Sequence, residues 1–193
     1  MQEKMQEKKN MFWSVMRKYF PLSVFLFFLS FLFGVLFAAH YPSLAQESFR
    51  ELQEAFSPLF DLSPVSMALF IFFNNSIKVF VFIFLGILFA APTLFFLVLN
   101  GWVLGYVAGL TYPQLGLQGL FYSLFFHGIF ELTALFIGAS LGLWLGVSAL
   151  KGAVKNKEKI KEKLSLALDV FVYLVVPLLA VAAIIETYII FFL

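Results

Sequence analysis

The sequence contains no cysteine. Disulfides and thiolate metal sites are therefore excluded, and the redox environment leaves no signature. Charge is also scarce. Only 12% of the 193 residues are charged, against about 25% in a soluble domain. No polar stretch is long enough to bury a core of its own, which excludes a domain-sized soluble part. Histidine occurs twice, as His40 and His127. HExxH spacing is missing, and no Ser–His or paired-aspartate protease arrangement is evident. His127 with two carboxylates could in principle ligate zinc or iron. However, no second histidine lies within a span, and Lys78 competes for the carboxylates. The expectation is a protein that is not an enzyme, with no metal site, no cofactor and no nucleic-acid partner.

What is present is hydrocarbon. Hydrophobic residues make up 62% of the chain and aromatic residues 20%. Several apolar runs reach the roughly 20 residues needed to cross a bilayer as a helix. The fold class is therefore all-α: a polytopic membrane helical bundle of about five transmembrane helices, embedded as a multi-pass protein of the cell membrane. Residues 1–19 are basic and aromatic, suited to an interfacial helix or to the edge of the first span. Residues 20–193 form a single transmembrane domain, with spans predicted at about 20–39, 66–90, 93–110, 119–150 and 166–193. The first run is long and no small-residue cleavage pattern follows it, so it is expected to stay as a helix. Pro21 is placed near its start, where a missing donor matters little.

The segment 43–57 differs from the spans. Ala45, Phe49, Leu52 and Phe56 fall on one helical face, and Glu47, Arg50, Glu51, Gln53 and Glu54 cover the rest. Ser43-x-x-Gln46 has capping-box spacing, and Ser57-Pro58 should end the helix. This predicts a short amphipathic helix on the outer surface, lying in the interface or forming a lid on the protein's own helices. A protein partner docking there is the third reading.

Orientation follows from lysine and arginine. Lys4, Lys8, Lys9, Arg17 and Lys18 precede the first span. A basic inner loop, 151–165, carries Lys151, Lys155, Lys157, Lys159, Lys161 and Lys163. With five spans, eleven of the thirteen basic residues fall on one side. The N-terminus is thus predicted inside and the C-terminus outside. The lysine loop could also attract anionic lipid headgroups.

On this topology the intramembrane polar residues share a depth. Asn74, Asn75 and Lys78 lie in the second span, Asn100 in the third, His127 and Glu131 in the fourth region, and Glu186 in the last. Each would be expensive in lipid, so they are expected to face one another. Lys78 is the only intramembrane cation, with Glu131 and Glu186 as its candidate partners. Such a trio would share protons.

His127 and Glu131 share one helix face, continued by Ala134, Gly138, Gly142 and Gly146. Small residues at four-residue intervals allow close helix approach in lipid. The third span offers a matching series, Gly101, Gly105 and Gly109, and the two stripes are expected to pack together. The region 119–150 is too long for one straight crossing, at about 48 Å against a core of about 30 Å. Gly128 is its natural break. Phe72-Phe73-Asn74 with Lys78 also aligns with Phe125-Phe126-His127 and Glu131 at an offset of 53. Paired interrupted helices of this kind point to a midplane site. Glu131 would then sit just inside a half-helix N-terminus.

Together these motifs resemble the stage II sporulation protein M family of integral membrane proteins. The likeness rests on His127-Gly128-x-x-Glu131-Leu132-x-Ala134 with its trailing glycines, and on Asn100-Gly101-x-x-Leu104-Gly105. An asparagine in the preceding span and Glu186 in an alanine-rich last span add to it. It covers about Met67 to Leu193. The resemblance implies about five spans. It also implies the role of a member in spore-forming bacteria, which anchors a peptidoglycan-remodelling complex with two hydrolase partners and is not itself the hydrolase. This chain has no large outer domain for docking hydrolases, only the short helix near Leu44–Phe56.

Two functions follow as expectations. The first is a non-enzymatic membrane scaffold, a homo-oligomer with a dimer favoured, in contact with membrane lipids and with a membrane or extracellular protein partner. The second is a transporter, channel or lipid-binding protein that uses the Asn/Lys/His/Glu cluster as pathway or pocket.

Overall fold

The computed structural model describes residues 2–152 and 156–192, with the backbone alone at 60, 121–127, 157 and 158. Its regular structure is helical throughout the described residues, and five helices are long and apolar enough to cross a membrane. The protein is an all-α polytopic helical bundle.

Helix α1, Gln2–His40, is one continuous element of 39 residues. At 1.5 Å per residue it measures about 58 Å, nearly twice the hydrocarbon thickness. Residues 2–19 are continuous with the first span in this one helix. Pro21 lies well inside α1 and not at its start. The Ser23 hydroxyl donates to the Tyr19 carbonyl (2.8 Å) beside it. Ser/Thr side chains near a proline help to satisfy helical carbonyls within a membrane.

Helix α2, Pro42–Phe56, turns back at the C-terminal end of α1 and runs into a 3₁₀ turn, Ser57–Asp61. Pro42 opens the helix behind Tyr41, so Ser43 lies within the first turn and the expected capping box does not form. Helix α3, Pro64–Leu85, starts on a true cap, in which the Ser63 side chain accepts from the Ser66 amide at 3.3 Å.

A tight reversal, Gly86–Ala90, follows, with Phe89 and Ala90 at positive φ (58° and 64°). The next helical run, Ala91–Leu150, has one non-helical residue, Gly116 (φ 66°, ψ 179°). That backbone region belongs almost solely to glycine. Gly116 divides the run into α4 (91–115) and α5 (117–150). The expected break at Gly128 is not there, because the backbone remains helical through 128. The break falls where the chain must change helices, and Pro113 is absorbed into the end of α4. Glu131 is therefore interior to α5, away from any helix N-terminus. Helix α3 is likewise unbroken through Asn74–Lys78, so the two aligned segments are not paired half-helices. Helix α6 comprises Lys157–Val170 and Val176–Phe192, joined by a π-helical turn, Phe171–Val175. The second half of the expected basic loop is thus the first turns of α6.

Helix α5 is the axis of the bundle. Every residue from Ala134 to Gly146 is buried. The two glycine stripes do not meet each other. A methyl group at Gly138 would strike Val79, Phe82 and Ile83 of α3, one at Gly142 would strike Thr93 and Phe82, and one at Gly146 would strike the Ala90 backbone. The other stripe faces α1. A methyl at Gly101 would meet Phe27 and Ser30, one at Gly105 would meet the Phe31 backbone, and one at Gly109 would meet Ala38. Gly34 of α1 completes that contact against Trp102 and Tyr106. Each stripe thus builds its own interface, α5 on α3 and α4 on α1. Ser30 donates to the Val98 carbonyl (2.8 Å) across the α4–α1 interface, and Thr93, at the start of α4, donates to the Phe82 carbonyl of α3 (2.7 Å) beside Gly142.

The basic ends of α1 and α6 meet. Lys8 donates to Ser165 (2.9 Å) and pairs with Asp169. Lys163 donates to Ser148 (2.8 Å) at the end of α5 and stands 4.3 Å above the Trp144 ring. The N-terminal lysines and the lysine-rich start of α6 therefore lie at one end, opposite α2.

Candidate functional site

A cavity of about 410 Å³ opens between α1, α3, α4, α5 and α6, toward the α2 end of the bundle. Asn74, Asn75 and Lys78 reach it from α3, Asn100 from α4, Glu131 from α5 and Glu186 from α6. The reason is register. On α3, positions 67, 71, 74 and 78 recur at helical spacing on one face. On α5, Glu131 precedes the glycine stripe that binds α3, so its side chain emerges where the close packing of those helices ends. Six of the seven polar positions singled out in the spans thus line one volume. The side chain of the seventh, His127, lies outside the described residues.

Asn100 donates to the Phe96 carbonyl (2.7 Å), one turn back on its own helix. Asn74 donates to the Asn75 side-chain oxygen at 3.4 Å. Lys78 interacts electrostatically with both Glu131 and Glu186. Among the described residues it forms no direct ion pair with either. A space of this size lies within the range of small-molecule pockets, about 300–1,000 Å³.

The rest of the lining is apolar. Phe56 and Leu59, at the junction of α2 and the 3₁₀ turn, reach the cavity from the outer end. Helix α2 is held there by Ala45, fully buried beside Ala38 and Tyr106, with Phe49 packed alongside. Its charged face points away, where Arg50 and Glu54 make an exposed pair at 3.7 Å. The lid form of the amphipathic segment thus matches the geometry. These apolar lining residues carried no signal of their own in a sequence this rich in phenylalanine. The Ser23, Ser30, Gly34 and Ala38 face of α1 was legible as a small-residue series, and it is the seam against which α4 and α5 close.

The fold defines a class: an α-helical, multi-pass membrane protein. The family model for stage II sporulation protein M matches residues 23–189. The chain belongs to that family, and the match reaches back through α1, well beyond the Met67–Leu193 stretch that the motifs alone marked. No curated protein and no solved structure matches the chain.

Proposed function

We propose that the protein is a non-enzymatic, membrane-embedded binding protein whose outer-half cavity holds a ligand or passes one along. One observation carries this: polar side chains from four helices distant in sequence line a single cavity of about 410 Å³. Intramembrane ionisable residues that face a cavity are most often part of a ligand or ion site. Native mass spectrometry on protein released from its own membrane is the test. A co-purifying molecule is expected, lost in the double variant Lys78→Met, Glu131→Gln. A protein that carries no bound molecule out of its own membrane would sink the proposal.

A second reading is the scaffold. It is favoured by family membership and by the outward charged face of α2, which is exposed among the described residues. Glycine stripes no longer support a homodimer, because both are consumed inside the chain. The scaffold reading predicts cross-linking from Glu47 or Glu51 to another protein in intact membranes. Cross-links confined to this chain's own residues would count against it.

A further inference from the structure

Helix α6 opens with two different faces. Asn156 caps it, its side-chain oxygen accepting from the Lys159 amide at 3.2 Å. On one face, Ser165 and Asp169 hold Lys8 of α1. On the opposite face Lys159 and Lys163 recur one turn apart. Lys163 reaches the end of α5, where it donates to Ser148 and lies over the Trp144 ring. Lys159 and Lys151, which follows the last residue of α5, both stand close enough to repel it. Like charges drawn together in this way cost energy. Among the described residues none of the three forms an ion pair.

The positive charge is in excess whatever the neighbouring acids do. Residues 151–163 hold six lysines and two glutamates, Glu158 and Glu162. With both glutamates paired, four positive charges remain. Asp169, the next acid along the chain, is matched to Lys8. The apolar surroundings narrow the choice of counterpart. Leu150, adjoining Lys151, is 63% exposed, and Leu168, two turns beyond Lys161 on the same face of α6, is 46% exposed. Bare hydrocarbon thus lies beside the charge, at the end of the spans. A dissolved anion or an acidic protein would use the lysines alone. An anionic phospholipid meets the lysines with its phosphate and the leucines with its acyl chains.

We propose that Lys151, Lys159 and Lys163 form a binding site for the phosphate of an anionic phospholipid, at the end of the molecule opposite the cavity. Ser148 and Trp144 fix the direction of Lys163, so part of the site is set before the lipid arrives. The positive end of the α6 dipole, in the turn that holds Lys159, adds to the same attraction.

The test uses the full chain in detergent. Phosphatidylglycerol and phosphatidylcholine with the same acyl chains are titrated separately, and bound lipids are counted by native mass spectrometry. Phosphatidylglycerol is expected to saturate and to bind about tenfold or more tightly than phosphatidylcholine. The triple variant Lys151→Gln, Lys159→Gln, Lys163→Gln should lose that preference. Lys4→Gln, Lys9→Gln, Arg17→Gln removes the same charge from α1 and should keep it. Lys78→Met with Glu131→Gln should keep it too, which separates this site from the cavity. If the first triple variant does not fold, Lys151→Gln with Lys159→Gln is read in its place, since Lys163 then retains Ser148 and Trp144. Equal loss in both triple variants reduces the effect to diffuse charge and overturns the site, as does equal affinity for the two lipids. Displacement of bound phosphatidylglycerol by a soluble polyglutamate peptide, at equal concentration of charge, would give the surface to an acidic protein and overturn the lipid.

Discussion

At the scale of the residue, the glycines separate by what surrounds them. Gly105 has no room for a methyl group, because the Phe31 backbone occupies that space. Overpacking of this kind costs about 1–3 kcal/mol, so Gly105→Ala should lower the thermal midpoint in detergent clearly. Gly128 is different. Among the described residues, a methyl there meets only the flexible end of Leu132, at 3.0 Å, within an unbroken helix. Gly128→Ala should be neutral or stabilising by up to about 1 kcal/mol, the ordinary helix preference for alanine. A marked loss in that variant would restore Gly128 as a hinge. Lys78 supplies a third case. It interacts with Glu131 across the cavity without a direct ion pair. The double-mutant cycle of Lys78→Met with Glu131→Gln should therefore give a coupling below about 1 kcal/mol, short of what contacting charges show. A larger coupling would mean that the two groups meet.

At the scale of the element, much was legible before any coordinates. The five apolar runs, their order and the amphipathic segment follow from hydropathy and period alone. So did the convergence of Asn74, Asn75, Lys78, Asn100, Glu131 and Glu186, because a charge scale places each of them at one depth. What could not be read was partnership. A glycine stripe announces a close contact but not with which helix, and here Gly101–Gly109 chose α1 while Gly138–Gly146 chose α3. The choice depends on Gly34 and Ala38 in α1, whose small-residue series likewise does not say which helix it meets, and on the positive-φ turn at Phe89–Ala90, which has no period to betray it. The break at Gly116 was hidden for a related reason. Its conformation is set by the need to change helices, while Gly128 merely stood where a long helix seemed to need one. Helix α2 gives a testable element. Ala45 is fully enclosed, so Ala45→Arg should lift the helix from Ala38 and Tyr106. The chain has no cysteine to interfere, so Met67→Cys in the cavity lining reports directly. Its labelling by a membrane-impermeant thiol reagent should be slow alone and faster by about tenfold or more with Ala45→Arg, if access to the cavity is limited by local opening of α2. Equal rates would show that α2 does not cover the cavity.

At the scale of the whole molecule, the contacts of Lys8 with Ser165 and Asp169 tie the first and last helices together at one face. Exposed pairs of this type contribute only about 0–1 kcal/mol, so their value here is as a marker of sidedness. A cysteine at Gln53 should react from outside sealed vesicles and one at Glu162 only after permeabilisation; the reverse pattern would invert the topology. The burial of α5 has a consequence for how the chain is made. The stretch Ala134–Gly146 is the fourth to leave the ribosome, yet it ends with no surface left for lipid. Its seat consists of side chains from α1 and α3 and of the Gly86–Ala90 reversal, all of which are synthesised before it. The helix that completes the enclosure, α6, is synthesised after it. Order of synthesis and order of assembly therefore coincide, and a chain halted before α6 would leave its central helix docked on one side and bare on the other. Such an intermediate offers membrane quality control a specific thing to recognise: a glycine-lined helix, meant for the interior, stranded at the lipid boundary.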